Sequence, residues 1–339
     1  MWYYAPDPVV LGDETGFAAP RTCEECLDRF LYGLWWESTG AVETLLGYGA
    51  AALPALCRGL VSPSAEVRWR AALALGRLGD PRPTPGLCRT LRDPEPAVRA
   101  GAAEALGMLA DPRGLAPLVA AADDSGGVVR AAVTQALGRY DRETVLPLVL
   151  RLLWDPEPEV QARAAAALAH LEEVSAIPAL CELLSSASVV AAVAAARALG
   201  CLKGGHAVGE QGLRALMVAL RAGPEYLSCA AADALVAIGG PAVPGLCRVL
   251  DHVDGTSRIR VAQVLQEMAI RNPAIALRAA LPVLARRSRR WLGESAAGRI
   301  LYRDTIHWIE VATASRADLP LPTRPPDIER TQLPVVERA

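Results

Sequence analysis

Ala74-Leu75-Gly76 returns as Ala105-Leu106-Gly107, Ala136-Leu137-Gly138 and Ala198-Leu199-Gly200, with Leu168-Ala169 at the remaining place in the series. The leucine therefore recurs every 31 residues between positions 75 and 199. A fixed period of roughly 20–50 residues is typical of solenoids, in which each repeat is one small supersecondary unit. The repeat thus predicts the fold before any other feature of the chain is considered.

The second repeat indicates how one unit is built. Its pattern predicts a short helix over residues 85–91, a proline-containing turn over 93–96 and a longer helix over 97–109. The apolar residues of the longer helix are spaced by four, four and three, so they line one face: Val98, Ala102, Leu106 and Leu109. Because one hairpin cannot bury such a face alone, we expect successive hairpins to stack.

These repeats resemble the HEAT-repeat family, in particular its short bacterial form first noted in phycobilisome lyases. The resemblance covers residues 45–303. It implies an all-α fold, a right-handed α-solenoid of about eight helical hairpins with a capping helix at each end. We expect an irregular segment and capping helix over residues 1–44, the solenoid over 45–303, and a capping helix with a proline-rich tail over 304–339.

The resemblance also implies a polar ladder between repeats. In this family an aspartate in the turn and an arginine six residues later form such a ladder. The corresponding pairs here would be Asp93 with Arg99 and Asp124 with Arg130. Ser62 with Arg68 would be a weakened pair. Asp155 faces Gln161, so we expect the ladder to thin at that repeat.

Composition bounds the class of protein. The chain has 339 residues, of which 52% are hydrophobic but only 5% aromatic, so the core is expected to be aliphatic. The net charge of −2 argues against a general nucleic-acid binder. No apolar run approaches the ~20 residues of a membrane helix, and the N-terminus has no secretory signal pattern. The cytoplasm is therefore the expected location.

Four cysteines occupy one column of the repeat: Cys57, Cys88, Cys181 and Cys247. Stacked helices lie about 8–10 Å apart, whereas a disulfide needs Cα atoms roughly 4.4–6.8 Å apart. We therefore expect small buried apolar side chains in a reducing compartment. The pair Cys23 and Cys26 has the spacing of half a zinc site or a redox motif, but no second pair accompanies it, so packing is favoured.

Other local features have two interpretations each. Trp35-Trp36, near Tyr32 and Tyr48, fits either a cap core or a contact anchor. The stretch 202–212 interrupts the period and predicts a longer loop. A basic run could bind phosphates or an acidic protein surface, or could be a solvated turn. Its residues are Arg286, Arg287, Arg289 and Arg290, followed by Trp291.

The face of each longer helix turned away from the apolar stripe is the candidate binding surface. In HEAT-like solenoids the second helices line the concave side, where partners usually bind. The expected positions are Glu66, Trp69, Arg70, Arg77, Glu104, Met108, Gln135, Arg139, Arg163, His170 and Arg197. This set is mixed in sign, which is unlike a basic duplex-binding stripe.

We therefore expect a non-catalytic scaffold, adaptor or assembly factor that holds a protein partner on the concave face. The alternative is a nucleic-acid binder or a HEAT-like DNA glycosylase that uses the concave arginines and Trp69. A third possibility is a subunit of a larger complex. No metal or cofactor is expected, because the histidines His170, His206, His252 and His307 are scattered over different repeats and nothing marks a tetrapyrrole site.

Overall fold

The computed structural model describes residues 47–202, 208–252, 256–271, 303–307 and 309. Every regular element in these ranges is helical, and none of them contains a strand. The chain divides into two compact units, residues 1–198 and 199–339. The predicted all-α fold of helical hairpins is therefore confirmed, while residues 1–46 lie outside the described part.

Between residues 53 and 201, each repeat contributes a first helix and a second helix. The first helices are α1 (Leu53–Gly59), α3 (Thr84–Thr90), α5 (Leu115–Ala121), α7 (Arg142–Leu152) and α9 (Ile177–Leu183). The second helices are α2 (Ala65–Leu78), α4 (Pro96–Leu109), α6 (Gly127–Leu137), α8 (Pro158–His170) and α10 (Val189–Cys201). Helices α2, α4, α6 and α8 each pack on the first helix of their own repeat and on one another in sequence.

The described part of the second unit contains two further hairpins. Its helices are α11 (Gly209–Ala222), α12 (Glu225–Ile238), α13 (Val243–His252) and α14 (Thr256–Arg271). Helix α11 packs on α12, and α14 packs on both α12 and α13. The predicted loop over residues 202–212 was wrong at its C-terminal end, because α11 already begins at Gly209. Residues 303–307 are helical, and Thr305 and Ile309 are buried; the rest of the predicted final helix lies outside the described residues.

The apolar stripe of the second helices forms the core. Leu75, Leu106, Leu137 and Leu168 are all fully buried, and burying one such side chain stabilises the fold by about 2–3 kcal/mol. In the second repeat Val98, Ala102 and Leu106 of the predicted stripe are buried, and the residues at the same positions of the other three repeats are buried too. Leu109, the last position of the stripe, is only half-buried. The stripe therefore fades toward the C-terminal end of the helix.

Glycine in the Ala-Leu-Gly signature lets successive second helices touch through their backbones. A Cβ atom on Gly76 would lie 2.6 Å from the Cα atom of Ala105, and one on Gly107 would lie 2.7 Å from that of Ala136. Gly138 approaches Ala167 in the same way, with 3.2 Å to the Cα atom. Each glycine meets an alanine of the next repeat, so the signature encodes a contact as well as a helix.

The first helices are spaced more widely. A cleft of about 680 Å³ separates α3 from α5, and one of about 420 Å³ separates α1 from α3. Since the second helices of the same repeats are in contact, the helices spread apart on the first-helix side. This asymmetry follows from the Gly–Ala contacts, which in the described part of the chain join second helices and not first helices.

Arginine–aspartate pairs join the turns of successive repeats. The Arg99 guanidinium donates to both carboxylate oxygens of Asp124, at 2.7 and 2.9 Å. Arg68 makes the same bidentate pair with Asp93, and Arg130 makes it with Asp155. The bonds from Arg99 lower the pKa of the Asp124 carboxyl, although burial opposes the shift. Bidentate pairs of this kind also fix orientation.

The ladder differs from the expected one in which atoms are joined. Each arginine binds the carboxylate that follows it by 25 residues, and it also binds backbone carbonyls of its own turn, as Arg99 binds that of Asp93 at 2.8 Å. The expected pairs Asp93–Arg99 and Asp124–Arg130 are therefore bonded through the aspartate backbone carbonyl, while each aspartate carboxylate binds the arginine of the preceding repeat. The Asp124 side chain accepts from the Gly126 amide at 2.8 Å, and the capped turn directs it toward the preceding repeat.

This geometry explains the two irregular positions. Arg68 binds the backbone carbonyl of Ser62 at 2.9 Å, so the serine side chain does not weaken the pair. Gln161 keeps the carbonyl bond to Asp155, at 2.8 Å, but provides no cation for the next turn. The position 25 residues later is Ser186 in place of an aspartate. Both members of the next pair are absent together, so neither charge is left without its partner.

The cysteine column is only partly buried. Cys181 and Cys247 are buried, as expected. Cys57 is exposed and Cys88 is half-buried, so the expectation of buried thiols was wrong for Cys57. The reason is the spread of the first helices, since Cys57 and Cys88 line the two clefts described above. None of the cysteines in the described ranges forms a disulfide; Cys23 and Cys26 lie outside these ranges.

Gly107→Ala is expected to destabilise the protein, although alanine favours helices. The added methyl would overlap Ala136, and such overpacking costs about 1–3 kcal/mol. Gly47→Ala is the control, because nothing lies within 4 Å of its added Cβ atom. Urea unfolding followed by circular dichroism measures both. Equal stability of Gly107→Ala and the parent protein would contradict the contact.

Gln161→Arg combined with Ser186→Asp is expected to extend the ladder by one pair. The double variant should gain roughly 1 kcal/mol over the sum of the two single variants. Each single change introduces one charge without its partner, so neither alone should stabilise the fold. A double-mutant cycle by urea unfolding measures the coupling. Strict additivity of the two changes would show that this junction has a different geometry.

Candidate functional site

The second-helix face is the exposed side of α2, α4, α6, α8 and α10. The exposed residues among the predicted positions are Glu66, Trp69, Arg77, Met108, Gln135, Arg139, His170 and Arg197. Glu104 and Arg163 are half-buried. Arg70 was expected to be exposed but is buried, because its side chain lies along α2 and its guanidinium contacts the Glu66 carboxylate one turn earlier.

Trp69 is the aromatic residue of this face. Its indole ring lies against Gly101 of the next second helix, where an added Cβ atom would come within 2.6 Å of the ring carbon Cδ1. The ring is still 40% exposed. The equivalent positions in the next two repeats are Ala100 and Ala131, both buried. The glycine therefore makes room for a single aromatic platform.

A trough of about 330 Å³ runs along the same face between α4, α6 and α8. Its floor is formed by the buried alanines Ala100, Ala131 and Ala132. Val128, on its rim, is 69% exposed. Small side chains on the floor bring the helix backbones close to the surface, so the trough can accept a side chain from outside.

Charged and polar groups line the rim of the trough. Arg163 donates to Glu159 at 3.0 Å and to the Gln135 side chain at 2.8 Å. Burial raises the pKa of the Glu104 carboxyl, and the charge of Arg163 offsets this only in part. Among the described residues, no hydrogen bond or ion pair to Glu104 occurs. Glu104 is thus a partly desolvated carboxylate facing an open trough.

Glu157 also lines the trough, and sequence reasoning missed it. It is the N-cap residue of α8, and its side chain lies over Gly127, 2.6 Å from where a Cβ atom would be. The signal was present: the first position of α4 and of α8 is a proline, but in α6 it is glycine. Because Gly127 has no side chain, the Glu157 side chain can lie over this position.

A second row of side chains follows the C-terminal ends of the second helices. Arg77, Met108, Arg139 and His170 occupy the same position in four successive repeats, and all are exposed. Met108 is 39% exposed. The row therefore places an apolar side chain between two cations. It is separate from the trough, which lies closer to the N-terminal ends of the same helices.

No cluster of metal-ligating side chains accompanies these features in the described ranges. There, no three His, Cys, Asp or Glu side chains are grouped so that they could hold a metal ion. No single helix in these ranges is long and apolar enough to span a membrane. The segments Glu225–Ile238 and Gly240–Leu250 reach that length and hydropathy only when they are taken together, and the pair is bent by 116°. The basic run Arg286–Arg290 with Trp291 lies outside the described residues.

Comparison with known proteins agrees with this architecture. Two overlapping stretches, residues 53–138 and 128–200, match the family of HEAT repeats. Residues 53–200 are HEAT repeats. The glycine contacts, the ladder and the second-helix face described for the first unit all belong to this HEAT-repeat region. No curated protein sequence matches the chain.

Solved structures resemble the chain in fold. One is the complex of CpcE and CpcF of phycocyanin lyase from Nostoc sp. PCC7120, with 24% identity, a TM-score of 0.44, and coverage of 77% of this chain and 100% of that one. Another is YibA of Escherichia coli, with 16% identity, a TM-score of 0.52, and coverage of 80% and 96%. At such identities the YibA likeness concerns the fold alone.

Gly101→Ala is expected to lift the Trp69 ring from α4. The added methyl would overlap the ring, which has no flexible end that could move aside. The fluorescence of Trp69, isolated by subtracting the spectrum of Trp69→Phe, should shift to longer wavelength and be quenched more strongly by iodide. The same glycine change in the Trp69→Phe background is the control and should leave emission unaltered. An unshifted Trp69 spectrum would contradict the described contact.

Proposed function

We propose that this protein is a non-catalytic HEAT-repeat scaffold or adaptor that holds a protein partner on its second-helix face. The observation that carries the proposal is the set of exposed apolar side chains on that face: Trp69, Met108 and Val128. Apolar and aromatic groups at the centre of a surface, surrounded by polar ones, are typical of protein interfaces. The alanine floor beneath them leaves room for partner side chains.

A protein partner fits this face better than a nucleic acid does. Glu66, Glu104, Glu157 and Glu159 lie on the same side of the helices as the arginines. Arg163 pairs with Glu159 and Arg70 contacts Glu66, so two of the arginines on this face are neutralised, and the four carboxylates nearly balance its arginines in number. A surface that binds a phosphate backbone needs an excess of unpaired lysine and arginine. The alternative of a DNA glycosylase is disfavoured for the same reason.

The lack of catalysis is also part of the proposal. The carboxylates of the face serve as ion-pair partners or rim residues, and Glu159 is an example because it binds Arg163 at 2.9 Å. A catalytic carboxylate would need a second acid, base or nucleophile within hydrogen-bonding reach. The expected role is therefore to position a partner, in the manner of an assembly factor.

Photo-crosslinking in the native host tests which face binds. Benzoylphenylalanine replaces Met108 on the second-helix face in one variant and Val119 on helix α5 in the other. The two native side chains are 39% and 40% exposed, so accessibility is matched. We expect a discrete adduct from the Met108 variant, roughly tenfold stronger than from the Val119 variant.

Equal adducts from both positions, or a discrete adduct from the Val119 position alone, would contradict the proposed binding face. The Met108 variant without ultraviolet exposure serves as the background. Circular dichroism of both purified variants verifies that the helical fold is retained.

A further inference from the structure

Glu104 is a half-buried charged group of the second-helix face. Its side chain is half-buried at the edge of the alanine-floored trough, and in the described part of the chain no group donates a hydrogen bond to it. Arg163, which also lines the trough, donates instead to Glu159 and Gln135. A partly desolvated carboxylate without a donor is costly unless something else supplies one.

The trough carries an excess of negative charge. Glu104, Glu157 and Glu159 line it together with a single cation, Arg163. Its volume of about 330 Å³ suffices for one long side chain. The buried alanines of the floor offer apolar surface to an aliphatic stem, while the carboxylates at the rim are placed for a cationic head. Lysine and arginine have this combination of stem and head.

We propose that the trough binds a lysine or arginine side chain from a basic segment of the partner protein, with the cation held by Glu104. This inference rests on the proposed function and adds the chemistry of the partner. The aliphatic stem packs on Ala131 and Ala132. Charge complementarity selects the occupant, because an acidic segment would place its carboxylates against Glu104, Glu157 and Glu159.

A phage-displayed library of random twelve-residue peptides is the probe, selected on the full-length protein at low salt. We expect selected peptides to be enriched in lysine and arginine by roughly tenfold over the unselected library. Glu104→Gln, which keeps the shape of the side chain and removes its charge, should abolish most of this enrichment. Glu143→Gln is the matched control, since Glu143 is exposed on the first helix α7 and should leave the enrichment unchanged.

Enrichment of basic peptides that persists in Glu104→Gln would overturn the inference, as would selection of acidic peptides or of none. Failure of this inference can be distinguished from failure of the proposed function, because the photo-crosslinked adduct at position 108 tests the proposed function independently. Folding of the variants is verified by urea unfolding. Glu104→Gln should unfold at the same or a higher urea concentration, because it removes a desolvated charge that lacks a hydrogen bond.

Discussion

The contact between a glycine of one second helix and an alanine of the next is the constraint on which the HEAT-repeat region depends. It brings the backbones of α2, α4, α6 and α8 together, since no Cβ atom stands between Gly107 and Ala136. The leucine beside each glycine is then fully buried. A core made of alanine, leucine and valine follows, as the low aromatic content of the chain requires. The alanine floor of the trough is another result of the same small side chains.

The polar ladder sets register where the apolar core cannot. The aliphatic stripes alone would tolerate a shift of one helix along its neighbour, because the leucines at different positions of a stripe can replace one another in the contact. A bidentate arginine–aspartate pair such as Arg99 with Asp124 has one geometry. The same guanidinium also holds the carbonyl of its own turn. One side chain therefore ties two repeats at a fixed spacing, and the pairs lie at the turn edge, away from the second-helix face.

The fold could be predicted from the 31-residue period, and so could most of the exposed positions of the second helices, since helical spacing decides both. The period could not predict which aspartate each arginine binds, because a repeat places an equivalent carboxylate on either side. It could not predict that Arg70 is buried, because the contact with Glu66 depends on the path of a long side chain. Glu104 was named from spacing alone, but its desolvation arises from three helices together. The Cys57 exposure depends on how far the first helices spread, which no single repeat encodes.

The offset of the ladder also bears on how such a chain can grow. Each link leaves a repeat through its arginine and enters the next through its aspartate, so any block of one period carries one donor and one acceptor. A duplicated block inserted between Asp93 and Asp155 would find matching groups at both of its borders. Whole units can therefore be added to the series with an arginine–aspartate pair kept at each border. Beyond Gln161 and Ser186 that interchangeability ends, because this junction carries neither the arginine nor the aspartate.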